Sequence, residues 1–205
     1  SGPRGQKLSI TLFRLEADGY LDEMSADIMN PSGVAFSPSG RLYVTSRARG
    51  EVSHIDYNEV IPFATGLGIA TGIAFGPDAA MYVGDRSGTI FRVGEFGSVE
   101  KFASLEPSVA AYHLAFGPDG RLYVTAPGLA SYDSIYAIDA DGTVERYARG
   151  FGRPQGLAFD TDGNCYAAAC YQGRHGIVRI DGQTGEVRTL VAGNEIVGLC
   201  FTRTG

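Results

Sequence analysis

A segment of about 40 residues recurs along this chain of 205 residues, and no other sequence feature constrains the fold as strongly. Each copy opens with a run of a small, an aliphatic, a small and an aromatic residue, as in Gly33-Val34-Ala35-Phe36. The closing Phe recurs at intervals of 39, 41, 43 and 42 residues, at Phe36, Phe75, Phe116, Phe159 and Phe201. Self-similarity at this period is typical of solenoids and propellers.

The content of each copy predicts four short antiparallel strands. A turn such as Gly117-Pro118-Asp119-Gly120 follows the first strand, and its Pro and Gly favour a tight reversal. A second strand with Tyr and β-branched residues comes next, followed by a loop and two further strands. The predicted third strands are 52–55, 90–93, 135–138 and 177–180, and the fourth are 61–64, 99–103, 144–148 and 187–191. No segment has the period of a helix, so we predict an all-β fold, a β-propeller of four-stranded antiparallel blades.

The two ends of the chain predict an incomplete fifth blade within a single domain spanning residues 1–205. Residues 8–26 resemble the third and fourth strands of a copy, and residues 198–205 begin a first strand without reaching a second. The four complete blades are predicted at 33–66, 72–104, 113–149 and 156–192. Either the fifth blade lacks a strand or the chain is a fragment of a longer protein, and we favour the fragment. An incomplete blade exposes an unpaired strand edge, so homo-oligomerisation through this blade stays an alternative.

The composition argues against several classes of partner. The formal net charge is −6, whereas nucleic acids and anionic membranes require clustered Lys and Arg. No apolar run is long enough to span a membrane, so we expect a soluble protein without nucleic-acid or membrane partners. A secreted or periplasmic location, as part of a larger protein, stays open. The three cysteines contain no C-x-x-C pair, and we interpret them as structural.

The repeat unit Gly-(Val/Ile/Leu)-Ala-Phe-x-Pro-(Asp/Ser)-Gly-x-Leu-Tyr-Val resembles the NHL repeats and the gluconolactonase and senescence-marker propellers. The resemblance implies a propeller fold and, for the gluconolactonase-like enzymes, a divalent metal on the axis held by Glu, Asn and Asp. The stretch that matches their Pro-Asn-Gly motif is Arg153-Pro154-Gln155-Gly156, and Ala169 stands where a ligating Asp is implied. Gln155 keeps an amide, but Ala169 offers no ligand atom.

Loops that enter the first strands and leave the second strands carry most of the candidate ligand-binding residues. These loops lie on one face of a propeller, and loops on a rigid scaffold are where binding residues concentrate. The predicted ligand-binding residues are Arg47, Arg86, Tyr112, Tyr132, Arg153, Gln155, Tyr171 and Glu195. Arg47, Arg86 and Arg153 come from three different blades. They either lie paired or solvated in their loops, or together recognise a carboxylate or phosphate.

His113 is the sharpest departure from the repeat, because it replaces the Gly found at that position in the other copies. It is either a space-filling core residue or a base or metal ligand at the mouth of the channel. In the second interpretation, His113 and Asp85 are the candidate catalytic residues. Asp85, His113 and Gln155 are the candidate ligands of one divalent metal, calcium or zinc, on the axis. The residues themselves establish no cofactor.

Two functions follow from these features. The first is a binding or interaction propeller whose loop face takes a small polar or anionic ligand, a glycan or a peptide. The alternative is a metal-dependent hydrolase of the gluconolactonase type or a lyase of the NHL type. The scarcity of carboxylates at the axial positions favours the first, since calcium requires six or more oxygen ligands. On balance the sequence argues against an enzyme without excluding one.

Overall fold

The computed structural model describes residues 9–57, 59–128 and 132–201, and every regular element in these ranges is a β-strand. The strands are β1 (Ser9–Leu15), β2 (Leu21–Met29), β3 (Pro31–Phe36), β4 (Leu42–Ser46), β5 (Glu51–Asp56), β6 (Glu59–Ala64), β7 (Ala70–Phe75), β8 (Met81–Asp85), β9 (Thr89–Val93), β10 (Val99–Ser104), β11 (His113–Phe116), β12 (Leu122–Thr125), β13 (Asp133–Ile138), β14 (Val144–Gly152), β15 (Leu157–Phe159), β16 (Cys165–Tyr171), β17 (Arg174–Ile180) and β18 (Val187–Ala192). No helix that could cross a membrane occurs within these described ranges.

Within each blade, strands that follow one another in the chain are neighbours in the sheet, and all pairs are antiparallel. Strands β3–β6 form one four-stranded sheet, here blade 1, and β7–β10 form a second, blade 2. Strands β11–β14 and β15–β18, blades 3 and 4, follow the same order. Strands β1 and β2 form a separate two-stranded sheet, here the N-terminal hairpin.

Blades 3 and 4 are joined into one eight-stranded sheet. Strand β14 continues past the length of the other fourth strands, and its last residues, Phe151 and Gly152, pair with Tyr171 and Cys170 of β16. This pairing ties the outer edge of blade 3 to the second strand of blade 4. The two blades therefore present a continuous wall on the loop face.

The first strands of the four blades lie side by side around a common axis. Their small residues are required by this packing. A Cβ atom on Gly33 would collide with the carbonyl oxygen of Thr71, and one on Gly72 would collide with that of Tyr112. The blades therefore radiate from closely packed inner strands, as the small residues of the repeat predict.

An aromatic contact recurs between successive blades. The Tyr of each second strand packs against the Phe that closes the next first strand. The ring centroids are 5.3 Å apart for Tyr43 and Phe75, 5.1 Å for Tyr82 and Phe116, 4.5 Å for Tyr123 and Phe159, and 5.0 Å for Tyr166 and Phe201. Three of these pairs are edge-to-face and the pair of Tyr123 and Phe159 is tilted, and such aromatic pairs add roughly 0.5–1.5 kcal/mol beyond the area they bury. The recurring Phe of the sequence is therefore a wedge between blades.

The turn between first and second strands holds the same Tyr from its polar end. An Asp in the turn accepts a hydrogen bond from the Tyr hydroxyl in blades 2, 3 and 4. The donor–acceptor pairs are Tyr82 and Asp78 (3.2 Å), Tyr123 and Asp119 (2.8 Å), and Tyr166 and Asp160 (3.0 Å). These turns lie at the opposite end of the strands from the loop face, and the surface that they form is here called the turn face.

Residues 198–201, predicted as the first strand of a fifth blade, do not form a strand. They nevertheless lie where the next first strand would be, because Gly156 N–H donates to the carbonyl of Val197 (2.7 Å) and Phe201 packs on Tyr166. A strand requires a second strand to pair with, and the described residues supply none here. The predicted segments 1–8 and 202–205 lie outside the described residues.

Candidate functional site

The loops that enter the first strands and leave the second strands enclose a cavity of about 1160 Å³. This cavity, here the loop-face cavity, lies over blades 3 and 4 and reaches to the loop after β8. Its polar lining comes from Arg86, Ser108, Arg153, Gln155, Cys170, His175 and Glu195. Alanine, glycine and aliphatic residues line the remainder, so a few polar groups project from an otherwise apolar wall.

Arg86 follows β8 and is held by backbone carbonyls. Its guanidinium donates from Nη2 to the carbonyl of Val109 (3.0 Å) and from Nε to that of Ser108 (3.5 Å). Carbonyl oxygens orient the guanidinium without neutralising its charge. Among the described residues, no carboxylate forms an ion pair with Arg86.

Arg153 and Glu195 occupy the same position of the repeat, three residues before Gly156 and Gly198, and both have left-handed backbones. Their φ angles are 47° and 64°. Such a conformation costs a residue with a side chain roughly 1–3 kcal/mol and recurs at ligand sites. Glycine would adopt it freely. Two charged side chains thus line the cavity from positions where the backbone favours glycine.

Gln155 is fixed by its backbone, which leaves its side chain to line the cavity. Its N–H donates to the carbonyl of Ala168 (2.8 Å), and its carbonyl accepts from Thr125 Oγ1 (2.6 Å). The first bond lies within blade 4, and the second connects it to β12 of blade 3. The amide therefore projects from a rigid part of the wall, beside Arg153.

Asp85, a predicted catalytic residue and metal ligand, is buried, and its carboxylate is hydrogen-bonded to the adjoining loops. Its carboxylate accepts from the backbone N–H groups of Ile69 (2.8 Å) and Ser87 (3.1 Å) and from the Ser87 hydroxyl. A Cβ on Gly68 would collide with this carboxylate, so the backbone approaches it closely. Asp85 closes the loop and does not line the loop-face cavity.

His113, the second predicted catalytic residue, lies half-buried at the start of β11, the first strand of blade 3. Burial lowers the pKa of His113 to about 4, so the ring is neutral at pH 7. It does not line the loop-face cavity. The neighbouring Tyr112 is fully buried and donates its hydroxyl hydrogen to the carbonyl of Glu106, so it is not exposed to a ligand.

Three further predicted ligand-binding residues lie outside the lining of the cavity. Arg47 is half-buried in the loop after β4, and Tyr132 is exposed in the loop before β13. Tyr171 packs its ring on Phe151, with centroids 5.8 Å apart, where β14 and β16 meet. Of the eight predicted residues, the structure brings Arg86, Arg153, Gln155 and Glu195 to one cavity.

Cys170 and His175 line the cavity although neither is among the residues singled out for the site. They are directly opposite each other on β16 and β17. Gln172 and Gly173 connect these strands with φ angles of 49° and 78°, which is typical of a two-residue type I′ hairpin turn. The pair Gln172-Gly173 is a sequence signal for such a hairpin turn, and it could have identified Cys170 and His175 as cross-strand neighbours.

The residues present do not fit the divalent metal that the resemblance implies. The described part of the chain contains no group of three or more His, Cys, Asp or Glu placed to hold a metal ion. Of the three predicted ligands, Asp85 is hydrogen-bonded within its loop and only Gln155 lines the cavity. Glu195 supplies one carboxylate there, whereas calcium prefers six to eight oxygen ligands.

A second cleft, of about 480 Å³, lies on the turn face between blades 2 and 3. Its arginine, Arg92, is bound to Asp78 (2.9 Å) and Glu100 (2.9 Å). These two carboxylates already neutralise the guanidinium of Arg92, so an anionic ligand would have to displace one of them. The loop-face cavity is therefore the stronger candidate.

Comparison with known proteins relates the chain to solved structures. No protein-family model matches the chain, and no curated protein matches its sequence. A gluconolactonase from Xanthomonas campestris superposes with a TM-score of 0.76 at 16% identity, over 100% of this chain and 80% of that one. Virginiamycin B lyase from Staphylococcus aureus gives 0.66 at 17% identity, over 85% and 61%. The calcium-binding protein regucalcin from Agrobacterium tumefaciens gives 0.66 at 18%, over 84% and 64%.

The fold is a β-propeller. The predicted all-β architecture of four-stranded antiparallel blades is confirmed by the sheets and by these superpositions. The propeller spans 61% of the staphylococcal lyase and 64% of regucalcin, less than two thirds of either. At such identities the likeness concerns the fold, and propellers of one fold host unrelated functions.

Proposed function

We propose that the loop-face cavity of this propeller binds a small polar molecule that carries a carboxylate or a phosphate. The observation that carries the proposal is the presence of Arg86 and Arg153 in one cavity without an ion-pair partner among the described residues. Guanidinium groups bind planar anions through two parallel hydrogen bonds, and each bond is charge-assisted. A cavity of this size accommodates a ligand the size of a sugar acid.

Gln155 and Glu195 give the proposed site its selectivity. Gln155 offers both a donor and an acceptor, and Glu195 offers acceptors only. A ligand with hydroxyl or amine donors away from its anionic group therefore suits the cavity better than a simple inorganic anion. A dicarboxylate is disfavoured, because its second carboxylate would face Glu195.

Isothermal titration of the protein with D-gluconate, a sugar acid with one carboxylate and several hydroxyls, tests the proposal. We expect Arg153→Gln to weaken binding at least tenfold, about 1.4 kcal/mol, because a charge-assisted bidentate contact is lost. Arg188→Gln is the matched control, since Arg188 is exposed on β18, far from the cavity lining. Equal affinities of wild type and Arg153→Gln, or equal losses in both variants, would overturn the proposal.

A second candidate function is catalysis in the same cavity, as in a lyase or lactone hydrolase. The observation that favours it is the pair Cys170 and His175, which brings a thiol and an imidazole to the wall that carries Arg153. In this role His175, and not His113, would be the general base, because a base must reach the proton that it abstracts. The arginines would stabilise the negative charge that develops as the substrate is cleaved.

Turnover of δ-gluconolactone, followed by acid release, and cleavage of virginiamycin B, followed by mass spectrometry, test the catalytic candidate. We expect His175→Gln to abolish a rate that His113→Gln leaves unchanged. No turnover by wild type above a blank, with D-gluconate binding intact, would leave a binding propeller as the function.

A further inference from the structure

We propose that the inner face of blade 1, together with the free edge of the N-terminal hairpin, is a docking site for a β-hairpin of the chain's own repeat type. The surface consists of Val34 and Phe36 on β3 and of the edge of β1. Its occupant is a first strand, a turn with an acidic residue, and a second strand with a central Tyr.

Phe36 lacks the contact that the equivalent Phe makes at the other four positions of the repeat. Phe75, Phe116, Phe159 and Phe201 each pack on the Tyr of the preceding second strand. The side chain of Phe36 has no aromatic partner among the described residues and is 67% exposed. Phe36 and the neighbouring Val34 together form an exposed apolar patch, and such patches mark interaction surfaces.

Val34 is uncovered for the same reason. It is 56% exposed, whereas the residues at its position in blades 2, 3 and 4 are 5–9% exposed: Ile73, Leu114 and Leu157. Val34 and Phe36 are paired across β3 and β4 with Val44 and Leu42, which pack against Ile28 of the N-terminal hairpin. The hairpin thus covers the outer part of this face and leaves its inner part bare.

The N-terminal hairpin explains what kind of element is missing. In each blade the third strand pairs with a second strand on one side and a fourth on the other, as β9 does with β8 and β10. Strand β1 pairs with β2, and no other described strand pairs with its free edge. An open edge of this kind accepts a further strand through main-chain hydrogen bonds.

Arg14 occupies the position that corresponds to Arg92 of blade 2. Arg14 pairs with Asp22 across β1 and β2 (2.9 Å), as Arg92 pairs with Glu100 across β9 and β10 (2.9 Å). Arg14 also binds Glu16, which directly follows its own strand (2.5 Å). Arg92 also binds Asp78, which lies in the turn between the first and second strands of its blade. The corresponding turn beside Arg14 does not occur among the described residues.

The bare face and the open edge therefore specify a single occupant. A second strand paired with β1 would place its Tyr over Phe36, and the preceding turn would place its acidic group beside Arg14. Residues 72–85, Gly-Ile-Ala-Phe-Gly-Pro-Asp-Ala-Ala-Met-Tyr-Val-Gly-Asp, make this set of contacts within blade 2. The loop-face cavity plays no part in this proposal.

A fluorescein-labelled synthetic peptide of residues 72–85, titrated with the protein and followed by fluorescence anisotropy, tests the proposal. We expect saturable binding that Phe36→Ser in the protein, or Tyr82→Ser in the peptide, weakens at least tenfold. Phe96→Ser is the matched control, because Phe96 is 92% exposed in a turn of blade 2 and belongs to no such contact. No saturation at about 1 mM protein would overturn the proposal.

A charge reversal separates specific docking from nonspecific adsorption to apolar surface. We expect Arg14→Asp to weaken binding of the peptide, and the peptide variant Asp78→Arg to restore it toward the original affinity. Failure of this rescue, with both single changes weakening binding, would contradict the assigned orientation. Sedimentation velocity that shows the protein alone forming a dimer lost in Phe36→Ser would assign the surface to a second copy and overturn the hairpin as occupant.

Discussion

The two faces of the propeller both carry arginines. Two arginines on the turn face are neutralised by ion pairs, whereas the two in the loop-face cavity form no ion pair among the described residues. On the turn face Arg92 binds Asp78 and Glu100, and Arg121 binds Asp139 and Glu145. In the loop-face cavity Arg86 binds carbonyls, and Arg153 projects from a left-handed backbone. Within the described residues, arginines that pair with carboxylates of their own blade are thus distinct from arginines available to an anion.

The largest expected effect is on ligand affinity. We expect the double variant Arg86→Gln/Arg153→Gln to weaken D-gluconate binding about a hundredfold, about 2.7 kcal/mol, as measured by isothermal titration. The double variant Arg92→Gln/Arg121→Gln, on the turn face, should bind as wild type does. A loss of affinity in the second variant comparable to the first would show that net charge, and not the cavity, determines binding.

A smaller effect concerns the pH dependence of stability that arises from His113 in blade 3. Burial lowers the pKa of His113 to about 4 in the folded protein, below its unfolded value of about 6.5. The unfolded state therefore binds more protons between these values, so this contribution is fully present above pH 6.5 and is lost as the pH falls toward 4. We expect it to decrease by about 2 kcal/mol between pH 7 and pH 5.

Urea denaturation of wild type and His113→Gln at pH 7 and pH 5 measures this effect. The difference in the free energy of unfolding between the two pH values should be smaller in the variant by that amount. Identical pH dependence in the two proteins would show that His113 is as accessible to protons when folded as when unfolded.

A still smaller effect is expected on the free energy of unfolding, and it differs between Arg92, which forms ion pairs, and Arg153, which forms none among the described residues. Arg92 is partly exposed, so its ion pairs are screened, and we expect Arg92→Gln to lower the free energy of unfolding by about 1 kcal/mol or less.

Arg153→Gly should raise the free energy of unfolding by about 0.5–1 kcal/mol, because glycine relieves the left-handed backbone. The same Arg153→Gly should lose ligand affinity. A loss of stability in Arg153→Gly, by thermal denaturation, would contradict the backbone argument.

The repeat predicts most of the fold, because short strands with a buried face leave a clear apolar period. The predicted third strands 52–55, 90–93, 135–138 and 177–180 lie within β5, β9, β13 and β17. The pairing of β14 with β16 was not predicted, since two residues at the end of a strand carry no periodic signal. Residues 198–201, predicted as the first strand of a fifth blade, do not form a strand because no described strand pairs with them. A local sequence pattern does not reveal whether such a partner is present.

The candidate site was predicted less completely, because the direction of a loop side chain is not set by a period. Tyr112 belongs to a predicted ligand-binding loop, yet its ring is buried and its N–H donates to Thr71. Asp85 bonds to the N–H of Ser87, a local turn that competes with any role in binding. Arg153 and Glu195 were predicted because the loops that enter the first strands lie on one face of a propeller.

The most direct test of the comparison between the two faces is the rate at which phenylglyoxal modifies individual arginines, measured by peptide mass spectrometry. Neutral-pH labelling should modify Arg153 faster than Arg92 and Arg121, whose guanidinium groups are held by two carboxylates each. Saturating D-gluconate should slow the reaction of Arg153 and leave that of Arg92 and Arg121 unchanged. Equal rates at the three residues, or no protection of Arg153 by a ligand that binds, would contradict the account.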